Sequence, residues 1–127
     1  MQQQMAVQSY PAIPRPTTLA ARAELLRDAR AIMDEEYADD LSLDDVAARI
    51  ATSRRQLQRV FAQLAGTGFR EELAAIRMDR AAELLHGPLP VSEVARRVGY
   101  RQSAQFAKAF RARHGLPPSE YRSRVRG

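Results

Sequence analysis

The feature that most constrains this chain is an internal repeat. Shifted by 48 residues, Val46, Ala47, Arg49 and Ile50 fall on Val94, Ala95, Arg97 and Val98. At a shift of 49, Gln56, Leu57, Arg59, Phe61 and Gly66 then fall on Gln105, Phe106, Lys108, Phe110 and Gly115. The second copy has therefore gained one residue between two matched apolar stretches, where a turn is expected. A self-similarity that keeps its apolar positions and takes its insertion in a turn marks two copies of one supersecondary unit. Each copy, at about residues 43–66 and 91–115, is a short amphipathic segment, a turn and a longer amphipathic segment. Those are the dimensions of a helix-turn-helix, with Ala47 and Ala95 as the small residues where the two helices cross.

The surrounding sequence extends the helical pattern. Residues 1–18, with Pro11, Pro14 and Pro16, have no period and are expected to form a flexible lead-in or linker. From there on, apolar residues recur at steps of three and four with no period-two alternation. The fold class is therefore all-α: two helix-turn-helix subdomains joined by a long linker helix, about seven helices within residues 19–127. Thr17 or Thr18 caps the first helix, whose stripe is Leu19, Ala23, Leu26, Ala29, Met33 and Tyr37. Ser42 and Ser53 cap the helices of the first unit, and Gly66 ends it. The linker helix, about residues 69–86, carries Leu73, Ile76, Arg77, Ala81, Leu84 and Leu85 and stops at Gly87-Pro88. Pro90 and Ser92 open the second unit, in which Phe106, Ala109 and Phe110 point inward. Pro117-Pro118 starts a last short helix containing Tyr121 and Arg122.

Composition excludes several functions. Without cysteine there is no disulfide framework, thiolate zinc site or cysteine nucleophile. No apolar run reaches the ~20 residues that span a bilayer, and no secretory signal is visible, so a cytoplasmic location is expected. Gly66-Thr67-Gly68 lacks the residues that complete a phosphate loop. Glu35-Glu36 and Glu71-Glu72 are adjacent in sequence and diverge on a helix, so neither is an acid–base pair. Asp34 to Asp40 form an acidic, solvated helix end. His86 and His114 are read as helix C-terminal caps. No catalytic residue, metal ligand or cofactor motif is identified. Aromatic residues are 6% of the chain and belong to the apolar stripes, which leaves little for stacking single-stranded bases.

Charge points to a polyanion. The net charge is +5, but residues 17–50 hold nine acids against four arginines, whereas residues 101–127 hold seven basic residues against Glu120 alone. Opposite the apolar stripe of the first unit's second helix lie Arg55, Gln58 and Arg59. Opposite Phe106 and Phe110 lie Ser103, Gln105 and Lys108. Neither face carries an acid, unlike the mixed charges of an ordinary bundle surface. Arginine pairs with guanine O6 and N7 and glutamine with adenine N6 and N7, so these six are the candidate base-reading residues.

The same residues carry a family resemblance. Val94-Ala95, Val98-Gly99-Tyr100, Phe106, Lys108, Phe110, Gly115, Pro118, Tyr121 and Arg122 resemble the AraC/XylS signature. Ser53, Leu57, Arg59, Phe61, Gly66, Phe69, Arg77-Met78, Ala81 and Leu84-Leu85 agree with it in the first unit. The resemblance covers about residues 19–125. It implies a bacterial transcription regulator whose two helix-turn-helix units, joined by a rigid helix, bind adjacent major grooves of double-stranded DNA at a promoter or operator. Ser53, Arg54, Arg101, Gln102, Arg111 and Arg122 are then the candidate phosphate contacts, with Lys108 adding to them. Ala104, Ala107 and Pro117 depart from the family's usual polar residues, so the first unit is expected to carry most sequence specificity and the second most salt-dependent affinity. RNA polymerase and a sensor domain preceding this chain are further candidate partners; a short stand-alone regulator and the C-terminal part of a longer one are both compatible with the resemblance. The alternative is a helical protein–protein adaptor that reuses the fold, distinguished by weak salt dependence.

Overall fold

The computed structural model describes residues 18–127, so the expected lead-in lies, except for Thr18, outside the described residues. Seven α-helices follow: α1 (Leu19–Glu36), α2 (Leu43–Arg49), α3 (Arg54–Val60), α4 (Phe69–Leu84), α5 (Val91–Arg97), α6 (Ser103–His114) and α7 (Pro118–Arg126). A π-helical turn, Phe61–Ala65, continues α3. Three helix starts are capped by hydroxyls: Thr18 accepts from the Ala21 amide, Ser42 from Asp45 and Ser53 from Gln56, at 3.0–3.1 Å.

Two apolar cores divide the chain. Leu26, Ala29, Met33, Val46, Ala47, Leu57, Val60, Phe61, Phe69 and Leu73 form the first. Met78, Ala81, Ala82, Leu85, Val94, Ala95, Val98, Phe106 and Phe110 form the second. The linker helix α4 is thus shared, its first half packed into one unit and its second half into the other. Tyr37, at the end of α1, packs against both. Leu19, expected in the α1 stripe, is 65% exposed because it opens the helix two turns before the first buried residue, Leu26. Met78 is buried although the stripe Leu73, Ile76, Arg77, Ala81 omits it. It faces the second core, where α4 turns a different side to its partners.

The repeat holds residue by residue. The Thr52 amide donates to Ala47 O and the Tyr100 amide to Ala95 O, both at 2.9 Å. Ala51 and Gly99 occupy the same turn position with φ of 58° and 99°. Gly66 and Gly115 end the two reading helices with φ of 72° and 84°. Ser53 and Gln102 are the equivalent N-cap residues. The added residue is therefore Arg101, between Tyr100 and Gln102.

A third, partial copy follows from the same shifts. α4 starts on buried Phe69 and α7 on buried Pro118, 49 residues later. Arg77 Nε donates to Tyr37 O at 2.7 Å and Arg122 Nε to Leu85 O at 3.1 Å. Arg77 Nη2 donates to Asp39 O at 2.9 Å and Arg126 Nη2 to Gly87 O at 2.5 Å. In each unit, arginine from the following helix fills the carbonyls left open where the first helix ends. Arg122 also donates to Leu89 O.

Phe61 and Phe110, both fully buried, are expected to lose ~3–5 kcal/mol each on truncation to Ala, measured by urea denaturation. Ala51 is exposed and holds a left-handed conformation that costs an L-residue ~1–2 kcal/mol. Ala51→Gly is therefore expected to raise stability by up to ~1 kcal/mol, the gain being reduced by the looser unfolded chain. Gly99→Ala is expected to do the opposite and more, because a Cβ there lies 3.1 Å from Ala38 O and 3.3 Å from Arg77 Nε.

Candidate nucleic-acid interface

In α3, Leu57 and Val60 are buried, followed by Phe61. One helical turn separates Arg55 from Arg59, which places both on the opposite side, with Gln58 beside them. All three are exposed. The π-helical turn starts after Val60, so the three expected base-reading residues sit on regular α-helix. Ser53 is half-buried, and its hydroxyl oxygen accepts the cap hydrogen bond from the Gln56 amide, which leaves the O–H to donate to a phosphate. Arg54 lies at the flank, 3.5 Å from Asp44 Oδ1, with both side chains largely exposed.

The second unit carries the same layout with different chemistry. Phe106 and Phe110 are fully buried. The equivalents of Arg55, Gln58 and Arg59 are Ala104, Ala107 and Lys108. Lys108, Ala104 and Gln105 are exposed on the side away from the phenylalanines, with Arg111 one turn further on. Ser103 belongs elsewhere. It stands three residues before Phe106 and seven before Phe110, on their stripe, and is exposed because it opens the helix. Its counterpart in the first unit is Arg54, a flanking position.

Arg101 and Gln102 are exposed at the start of α6, and no side chain caps this helix, whereas Ser53 caps α3. Arg122 is a correction. It is half-buried and its guanidinium is spent on Leu85 O and Leu89 O, so it fastens α7 to the end of α4. His114 is a second correction. Its Nε2 lies 3.1 Å from Met78 O, and its ring packs 4.6 Å from Phe110, so it ties α6 to α4 instead of capping its own helix. His86 packs edge-on against Tyr121.

Sequence reasoning missed Arg70. It is exposed in the first turn of α4 and lines, with Arg54 and Gln58, an open cleft that runs on to Arg77 and Tyr100. Its only signal in the sequence is a basic residue just after the Gly66-Thr67-Gly68 break.

The cations are sorted by position. Arg49 pairs with Glu36 at 2.7 and 2.6 Å, and Arg113 with Asp79 at 3.0 and 2.8 Å. Arg30 pairs with Glu72, and Arg96 and Arg97 with Glu93. The hydrogen bonds from Arg96 and Arg97 push the Glu93 carboxyl down to about 2. Arg113 and Arg49 likewise hold Asp79 and Glu36 below their ordinary values. Among the described residues, Arg55, Arg59, Arg101, Lys108 and Arg111 have no carboxylate within ion-pair distance. Also among the described residues, no cluster of His, Asp and Glu suits a metal ion, and no helix is long and apolar enough to cross a membrane.

Comparison with known proteins agrees with this geometry. The family model described as "Helix-turn-helix domain" matches residues 46–124. A transcriptional regulator from Chromobacterium violaceum, titled as one of the AraC-type DNA-binding domain-containing proteins, superposes with a TM-score of 0.77 at 28% identity, covering 82% of this chain and 94% of that one. The chain belongs to the AraC-type helix-turn-helix family. A second neighbour is the DNA-binding domain of AdpA, a global transcriptional factor solved in complex with a target DNA. It has a TM-score of 0.71 and 29% identity, over 83% of this chain and 92% of that one. The regulatory protein PocR of Salmonella typhimurium is 32% identical over 101 residues, 79% of this chain and 33% of its own length. The chain spans about a third of the length of the curated relatives it matches. These relatives are named as regulatory proteins or transcriptional regulators.

The ion pairs of this AraC-type domain have a pH signature. A carboxylate whose pKa is lowered on folding lends stability that is present above its ordinary value, 4.5 for Glu93, and is lost as pH falls through about 2. Urea titrations between pH 7 and pH 2 are expected to show wild-type stability falling more steeply in that window than that of Glu93→Gln.

Proposed function

We propose that the two units read adjacent major grooves on one face of double-stranded DNA, with α3 and α6 as the reading helices. The observation that carries this is the pair of acid-free faces, bearing unpaired cations, mounted on one shared helix. α4 rises ~24 Å over its 16 residues. With a turn at either end, this suits two readers held about one duplex turn, ~34 Å, apart. The DNA complex of the structural neighbour AdpA supports the partner class.

The readers divide the work. Arg55, Gln58 and Arg59 offer bidentate hydrogen bonds to base edges, each good pair discriminating by ~1–3 kcal/mol. At the equivalent places in α6, Ala104 offers apolar contact and Ala107 is half-buried, leaving Lys108 and Gln105. Arg101, Arg111, Gln102 and the uncapped start of α6 then supply phosphate contacts, joined by Arg54 and Arg70 from the first unit; Ser53 and Ser103 contribute at the helix starts. Transcription regulation by the whole protein, contacts with RNA polymerase or a sensor domain, and a cytoplasmic site of action follow from the same reading.

Footprinting is expected to show protection of two successive major-groove segments of a non-palindromic site by one molecule. A single protected segment, or a need for a palindrome, overturns the reading. Binding-site selection is expected to show that Arg59→Ala relaxes base preference in one half of the site, while Lys108→Ala weakens all sequences more evenly; a Lys108→Ala change that reshapes the preferred sequence more than Arg59→Ala does overturns this division. The log–log salt dependence should fall by ~0.9 for each phosphate contact removed; an affinity insensitive to salt would point to a protein–protein adaptor.

A further inference from the structure

We propose that Arg77 is a positioning residue for DNA recognition: it locks the two units at one separation and rotation, and so sets the spacing of base pairs between the two half-sites. This rests on the two-groove reading above.

Three segments from different parts of the chain meet around its guanidinium. Nε and Nη2 donate to Tyr37 O and Asp39 O, at 2.7 and 2.9 Å, which fixes the loop after α1 to the middle of α4. Gly99, in the turn of the second unit, lies against the same guanidinium: a Cβ there would be 3.3 Å from Nε and 3.4 Å from Cζ. It would also be 3.1 Å from Ala38 O, so the first unit's loop and the second unit's turn lie side by side, Ala38 and Gly99 lining one cleft. Tyr37 belongs to both cores, and Arg80, one turn along α4, lies 5.5 Å over its ring.

The units are therefore joined twice, through α4 and through this joint beside it. A helix alone permits bending and twisting about its axis; a second, lateral attachment removes both. Arg77 lines the same cleft as Gln58 and Arg54, but it is half-buried and its Nε and Nη2 are used on the protein's own carbonyls, which commits the side chain to the joint. Two linked binding modules gain affinity according to the effective concentration of the second at its site, which is highest for a stiff connection of matching geometry and low elsewhere. Adding one base pair between the half-sites rotates the second by roughly 34° and carries it away from a rigidly held α6. A loosened joint lowers affinity at the native spacing and flattens the difference between spacings, while base preference within each half-site stays the same.

The test uses the full chain. The protein has no cysteine, so Ala62→Cys and Ala112→Cys, at exposed sites one on each unit, allow paired spin labels and a distance distribution without DNA. In parallel, affinity is measured for duplexes with the half-sites at native spacing and with one or two base pairs inserted. Wild type is expected to give one narrow distance and to lose roughly tenfold or more per inserted pair. Arg77→Ala is expected to broaden the distance, bind the native duplex roughly tenfold more weakly and separate the spacings by less than about threefold. Arg80→Ala removes the cation over Tyr37 and an exposed pair with Glu83 within α4, and is expected to broaden the distance in the same sense by less, so the test survives if Arg77→Ala does not fold. A variant with the wild-type distance and spacing profile overturns the joint and leaves DNA reading intact. A wild-type chain indifferent to spacing overturns the two-groove reading and the spacing role together.

Discussion

Where α1 ends, its last carbonyls have no partner in their own helix, and the chain meets this by sending a guanidinium into them from the middle of α4. An ordered loop at residues 37–39 is the result, and much else follows from it. Tyr37 is held where it can join both cores. The second unit's turn packs against the same guanidinium, which limits position 99 to glycine. The end of α4 poses the same problem again, and α7 answers it with Arg122 and Arg126. A task done by one arginine in the first unit is shared by two in the second. That makes α7 a short copy of α4, and it accounts for a terminal helix whose only buried residue is Pro118.

The distribution of arginines follows from this division between body and faces. Nineteen of the twenty basic residues are arginine, and a guanidinium bonds as well to carbonyls and carboxylates as to phosphate. Unmanaged, such a chain would bind polyanions on every side. Here the arginines of the body are engaged: Arg77, Arg122 and Arg126 on backbone carbonyls, Arg30, Arg49, Arg96, Arg97 and Arg113 on carboxylates. Among the described residues, Arg55 and Arg59 of α3 and Arg111 of α6 have no carboxylate within ion-pair distance. Because exposed ion pairs contribute little stability individually, their more definite effect is to neutralise part of the positive charge on the body while Arg55, Arg59, Lys108 and Arg111 keep theirs.

Much of the fold was legible because the repeat supplies each expectation twice. Val46 and Val94, Leu57 and Phe106, and Phe61 and Phe110 are buried as paired spacings require. The limits are instructive. Arg77 lies in the apolar stripe of α4, which is itself a sign of an inward-facing arginine, but the carbonyls that it meets are 38–40 residues away and no local pattern reveals them. Arg122 looked like a surface cation for the same reason. Ser103 was assigned by polarity alone, although the three-residue step to Phe106 already puts it on the buried stripe. The π-helical turn after Val60 has no local residue signature, and Arg70 belongs to the cleft only once α3 and α4 are folded together.

The two turns also differ in how much sequence change they tolerate. Position 51 already holds an alanine, in a left-handed conformation and open to solvent, so the strain there is local and nothing packs against the side chain. Position 99 also has a positive φ, 99° against 58°, and has a guanidinium and a carbonyl within contact of any added carbon. Two equivalent turns therefore accept side chains unequally: position 51 already carries one, whereas a side chain at position 99 meets both an unfavourable φ and, from two sides, a fixed carbonyl and the Arg77 guanidinium.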